Sequence, residues 1–185
     1  RSNYKKIIKD TKMDIEVYNK LKEIQKEYTG QIFGQICQNL LALAFAEKFS
    51  SENVEVSNVE GIDIIIKDKN NMYAIEVKTT SGEKIGFKKK DFDGLKKFQK
   101  QEYKPILAVL KLNNGTRGWI FHNAERFYHL KNNLSVNYLY TDDEYKELVC
   151  EIQKIFEDKV NCFYQCILNE GSKYLTNLLR QKGLK

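Results

Sequence analysis

Two carboxylates and a lysine interrupt strands that are otherwise β-branched and apolar. Gly61-Ile62-Asp63 leads into Ile64-Ile65-Ile66, and Glu76-Val77-Lys78 lies within Met72-Tyr73-Ala74-Ile75-Glu76-Val77-Lys78-Thr79. Both runs read as strands. Between them, Asp68-Lys69-Asn70-Asn71 favours a turn. A hairpin symmetric about Lys69-Asn70 sets Asp63 opposite Glu76 on one face of the sheet. Lys78, two residues on, shares that face. Opposed Cβ atoms lie roughly 4.5–5.5 Å apart, and two carboxylates that close repel unless something positive stands between them. A slip of one residue would send Asp63 to the other face and dissolve the group.

These groups suit one kind of chemistry. Mg²⁺ is bound by one or two carboxylates together with waters and substrate phosphate oxygens. Such an ion lowers the pKa of a bound water and offsets charge developing on a phosphodiester. A lysine beside that water can orient it and stabilise the forming hydroxide. Glu-x-Lys alone arises by chance in any chain rich in Lys and Glu, and a surface Lys–Glu pair with a turn-proximal aspartate is the plainer reading. What argues for a site is that these acids sit among Ile, Val and Ala.

The order helix, strand with Gly-Ile-Asp, strand with Glu-Val-Lys, helix, strand resembles the PD-(D/E)xK nuclease superfamily, which includes restriction endonucleases and archaeal Holliday-junction resolvases. The likeness continues through Ile85-Gly86-Phe87, Asp91 to Glu102, Pro105-Ile106-Leu107-Ala108-Val109 and Gly118-Trp119-Ile120-Phe121, and covers about residues 30–130. It implies an α/β, restriction-endonuclease-like fold: a mixed central sheet flanked by helices. It also implies that Asp63 and Glu76 are metal ligands and Lys78 the catalytic lysine, with Mg²⁺ as cofactor and Mn²⁺ able to substitute. The superfamily often carries a further glutamate ligand on the first core helix, after a glycine. Here that stretch reads Gly30-Gln31-Ile32-Phe33-Gly34-Gln35-Ile36-Cys37-Gln38, so Gln35 or Gln38 occupies the position. An amide oxygen can coordinate a hard cation but brings no charge. Glu47, the next acid, falls on a different helix face. A polar N-terminal helix face accounts for both glutamines equally well.

With 185 residues, one domain with a real core is expected: a helical extension over 1–29, the catalytic core over 30–130 and a helical extension over 131–185. Residues 4–28 and 31–49 read as helices, and strands are expected near 53–59, 61–67, 72–80 and 83–87. A helix near 90–102 precedes strands at 105–112 and 117–122, joined by the hairpin signal Asn113-Asn114-Gly115-Thr116. A short strand is placed at 136–140, and two helices close the chain near 142–158 and 161–182. The chain begins with Arg1, and is expected to lack its native N-terminus. Without a secretory or membrane segment, its four cysteines are expected to be free thiols in a prokaryotic cytoplasm.

The net charge of +6 is compatible with nucleic acid without being diagnostic. The distribution says more. Between Lys84 and Arg117 ten basic residues face three acids, with Lys88, Lys89, Lys90, Lys96 and Lys97 along one helix. This is either a rim that holds phosphates without reading bases or an ordinary solvated face. Thr79, Thr80 and Ser81 can bond a phosphate or build a turn. Cys162 and Cys166 with His122 and His129 fit no finger spacing, and the cysteines read as core. His122 is read as ending a strand near DNA, as a cap or surface residue before a general base.

The leading functional expectation is a type II restriction endonuclease, a homodimer cutting specific double-stranded sites. Its additions at both ends could carry base contacts or a dimer interface. The alternative is a structure-selective Holliday-junction resolvase or repair nuclease. A third reading, a DNA-binding module whose metal site has decayed, draws on the glutamines and is opposed by the intact Asp63, Glu76 and Lys78.

Overall fold

The computed structural model describes residues 12–57, 59–112, 118–130 and 133–184. Helices α1 (Ile15–Glu27) and α2 (Gly30–Phe49) come first, followed by strands β1 (Val54–Val56), β2 (Ile64–Lys67), β3 (Met72–Thr80) and β4 (Lys84–Ile85). Helix α3 (Lys89–Gln99) leads to β5 (Lys104–Lys111), β6 (Trp119–Asn123) and β7 (Leu134–Ser135), and the chain closes with α4 (Lys146–Glu170) and α5 (Ser172–Gln181). Among the described residues the central sheet has the order β1-β2-β3-β5-β6, and β4 pairs with β7 apart from it. All neighbours are antiparallel except β3 and β5, whose parallel pairing requires the crossover that α3 supplies.

The hairpin register is the expected one: Ile64 pairs with Ile75, Ile65 with Ala74 and Ile66 with Tyr73. The turn closes with Asp68 N–H donating to Asn71 O at 2.8 Å and Asn71 N–H donating back at 3.3 Å. Alternation then divides β3 between two faces. Tyr73 and Ile75 join Ile64, Ile66, Ala108, Leu110 and Phe121 in a core with α2 and α4. Ala74, with Ile65, Leu107, Val109 and Ile120, packs instead on Phe92 and Leu95 of α3.

Each helix has a local reason for its limits. Asp14 caps α1 by accepting the N–H of Glu16 at 2.8 Å, so α1 starts at Ile15. The part of the expected 4–28 helix before residue 12 lies outside the described residues, as does the expected 113–116 turn. Thr29 caps α2, whose stretch from Leu40 to Ala46 is wholly buried, as befits a helix wedged between sheet and helices. The expected break near 159–160 does not occur. Nothing in Asp158-Lys159-Val160-Asn161 stops a helix, and Val160 is fully buried, so α4 runs on to Glu170. The chain turns instead at Gly171 (φ 60°), where a Cβ would meet the Tyr28 ring at 3.0 Å. The strand expected at 136–140 is one short helical turn, Val136–Tyr138, and the pairing falls just before it.

The outer edge of β6 is covered by side chains. Trp119 N–H donates to Gln153 Oε1 (2.8 Å), Phe121 N–H to Thr141 Oγ1 (3.3 Å) and Asn123 N–H to Asp142 Oδ2 (2.7 Å). Gly118 makes room for this, since a Cβ there would lie 2.2 Å from Gln153 Oε1.

Candidate active site

Asp63 stands one residue before β2, where the two strands part. Its N–H donates to Ile75 O (2.9 Å), one residue out of the register in which Ile64 pairs with Ile75, and its Oδ2 accepts the Val77 N–H at 2.7 Å. The side chain thus takes a β3 donor that a longer β2 would have taken. Glu76, 5 % exposed, pairs across β5 with Leu107. Lys78 sends its ammonium back to Glu76 Oε1 at 2.6 Å and across to Asp91 Oδ2 at 3.1 Å. The Phe87 ring lies 5.9 Å from that ammonium and stacks on Phe92.

Crowding sets the protonation. Burial, then the charge of Asp63, pushes Glu76 up to about 8. Burial also raises Asp63, against the Val77 N–H and the Lys78 charge, and a protonated Glu76 hydrogen-bonds it. Burial lowers Lys78, but Glu76 and Asp91 together outweigh that and keep it cationic. Glu76 cannot be fully charged for Lys78 and protonated for Asp63 at once. Asp91 gives the Lys78 ammonium a second carboxylate beside Glu76.

Gly61 (φ 82°) positions this corner. A Cβ there would fall 2.4 Å from Lys90 O, and one on Gly94 would fall 2.4 Å from Glu60 O. Only paired glycines let the loop before Asp63 lie against the first turns of α3.

An open cleft of about 480 Å³ adjoins Lys78. Gln31, Gln35 and Gln38 of α2 line it with Val77 and Thr79, and neither Asp63 nor Glu76 does. The two glutamines therefore share an opening with the lysine and not with the carboxylates. Glu47 is exposed at the far end of α2 in an ion pair with Lys159. Thr80 Oγ1 accepts the Gly82 N–H at 3.0 Å, a turn role, and Ser81 is exposed beside it. Lys88, Lys89, Lys90 and Lys97 are exposed around α3, with Lys90 paired to Glu60, while Lys96 lies 5.0 Å over the Tyr128 ring.

His122 is not at a strand end facing solvent. It is 4 % exposed, packed on Phe127, with Nδ1 2.9 Å from Asp142 Oδ2 but not aligned for a hydrogen bond. Burial pulls it below the usual histidine range despite Asp142. None of Cys37, Cys150, Cys162 and Cys166 forms a disulfide, and among the described residues no three His, Cys, Asp or Glu side chains form a metal cluster. Asp91 is the site residue the sequence did not reveal. It stands in a lysine-rich run, and no local pattern turns it back toward β3.

Residues 48–156, more than half the chain, match the family model described as archaeal Holliday junction resolvase (hjc). The chain belongs to this resolvase family. It is therefore a member of the PD-(D/E)xK nuclease superfamily, a group of enzymes acting on DNA. The matched span holds the hairpin, α3 and the first half of α4, and leaves out most of α2 with Gln35 and Gln38. Among solved structures, Archaeoglobus fulgidus Hjc, a Holliday junction resolvase from an archaeal hyperthermophile, is 15% identical, with a TM-score of 0.38. The likeness covers 59% of this chain and 93% of that one. No curated protein matches. The family favours the resolvase alternative over the type II restriction enzyme. Among the described residues no helix is long and apolar enough to cross a membrane.

Proposed function

We propose that this protein is a divalent-metal-dependent endonuclease that resolves four-way DNA junctions, with Asp63 and Glu76 as cation ligands and Lys78 as the catalytic lysine. The observation that carries this is the crowding of Asp63, Glu76 and Lys78 at one corner of β3. Two carboxylates compete there for one proton and one ammonium. The donor set fits a hard cation that keeps most of its waters, because such an ion asks the protein for one or two carboxylates only. We take it to be Mg²⁺, with Mn²⁺ able to replace it. When bound, the ion supplies Lewis acidity toward a phosphate oxygen and acidifies a water.

The chain's own residues do the rest. Lys78 orients the attacking water through its ammonium and offsets charge on the phosphate. Phe87 walls off one side of that ammonium. Lys88, Lys89 and Lys97, exposed along α3, hold backbone phosphates without reading bases. Gln35, Gln38 and Thr79 face the adjoining cleft and hydrogen-bond the strand leaving the site. A four-way junction is cut on two symmetry-related strands, so we place two copies of the chain on it.

The test is a Mg²⁺-dependent cleavage assay that offers plasmid DNA and a synthetic four-way junction together, with Lys78→Ala as control. Paired nicks in the junction with the plasmid intact are expected. Discrete plasmid fragments with an untouched junction would restore the restriction-enzyme reading. Equal cutting by Lys78→Ala would remove the site assignment.

A further inference from the structure

We infer that Asp91 is a positioning residue, one that keeps the Lys78 ammonium in place when Glu76 turns to the cation. The inference rests on the nuclease reading of Asp63, Glu76 and Lys78. Asp91 is 8 % exposed, in the first turn of α3. One oxygen, Oδ2, accepts both Lys78 Nζ at 3.1 Å and the Lys88 N–H at 3.0 Å. The second bond is what an acid at this helix position ordinarily makes. The first is not local at all, since it joins a helix to a strand thirteen residues earlier.

Glu76 has two claims on it. Its carboxylate holds Lys78 at 2.6 Å and is also a proposed ligand. A lysine held by Glu76 alone would be freed when that carboxylate engages a cation, and four flexible methylenes would scatter its ammonium. Asp91 prevents this because its own place is fixed. Its helix is anchored by buried Phe92 and Leu95, and its carbonyl lies where a Cβ on Gly61 would come within 2.8 Å. The same backbone contact therefore positions Asp63 and the acid that steadies Lys78.

Asp91→Asn keeps an oxygen for the Lys88 N–H and removes the charge that holds Lys78. Single-turnover junction cleavage should fall roughly 10–100-fold, with junction affinity unchanged. In a Lys78→Met background the same change should cause no further loss of the residual rate. A readout free of catalysis is acylation of Lys78, followed by mass spectrometry with and without Ca²⁺. The parent should stay protected when Ca²⁺ is added, whereas Asp91→Asn should label severalfold faster. Equal losses in both backgrounds, or labelling indifferent to Ca²⁺ in Asp91→Asn, would reduce Asp91 to a helix cap. If Lys78→Met alone cleaved at the parental rate, the nuclease reading would fall first, a result distinct from either.

Discussion

On the side of the sheet that faces α2 and α4, the strands present Ile64, Ile66, Ile75, Ala108, Leu110 and Phe121 to an apolar helical layer. Its buried polar side chains Asn39 and Gln153 are both hydrogen-bonded. On the α3 side, the same strands present Glu76, Lys78, Lys111 and His122 among Ala74, Leu107 and Val109. The contrast shows how period-two alternation lets one strand serve both ends. Ile75 and Glu76 are neighbours in sequence, yet one holds the fold together and the other strains it. Burying an acid beside an acid costs stability that the opposite face must supply.

The sharpest break between the faces is Asp63→Asn. Cleavage should drop by about 10³-fold with junction binding nearly intact, and the melting temperature should not fall, because a crowded charge is gone. Parallel binding and single-turnover assays would show it, and persistent cleavage would take Asp63 out of the chemistry. Phe156→Ala acts from the other face. Phe156 is fully buried, its ring 5.3 Å from Trp119. Its loss should cost about 3–5 kcal/mol in denaturant unfolding and leave the folded fraction's rate alone. A rate change would mean the faces are coupled.

Smaller effects come from the charges that frame the α3 face. Replacing Lys88, Lys89 and Lys90 by Glu should weaken binding to every DNA alike. The slope of log affinity against log salt should flatten by about two to three units. A loss confined to one sequence would instead mean that this run reads bases. Last is the pH effect of Glu76→Gln, which vanishes in acid. Glu76 is raised from 4.5 to about 8, so folding takes up a proton between those values. The stabilisation is complete below about pH 4.5 and is lost as pH climbs through 8. The variant should therefore melt with the parent near pH 4.5 and several degrees above it near pH 8. Identical curves at both would mean Glu76 ionises freely.

The hairpin register was legible because everything that fixes it is local. A polar turn of four residues between two apolar strands leaves one pairing that keeps Ile64 and Ile75 inward. That Gln35 and Gln38 share a cleft with Lys78 was not legible, since it depends on how the packed α2 lies against β3. Asp91 escaped for a similar reason. Its run looks like a solvated lysine face, and only the glycine contacts between Gly61 and α3 bring it within reach of Lys78. His122 lies one residue inside the end of β6, and the segment carrying Asp142 folds back over it and shuts it in. The end of α4 was misread because charged residues at 158–159 interrupt a hydrophobic pattern without interrupting a helix.

The covered edge of β6 bears on how copies of this chain can meet. An open strand edge is a template, and identical chains join there into a shared sheet. Gln153, Thr141 and Asp142 already occupy the N–H groups that such a visitor would need. Gln153→Ala should therefore reveal itself first as concentration-dependent light scattering at temperatures where the chain is still folded. The amide that looks like a small repair at the rim of a sheet is then a guard against self-templating.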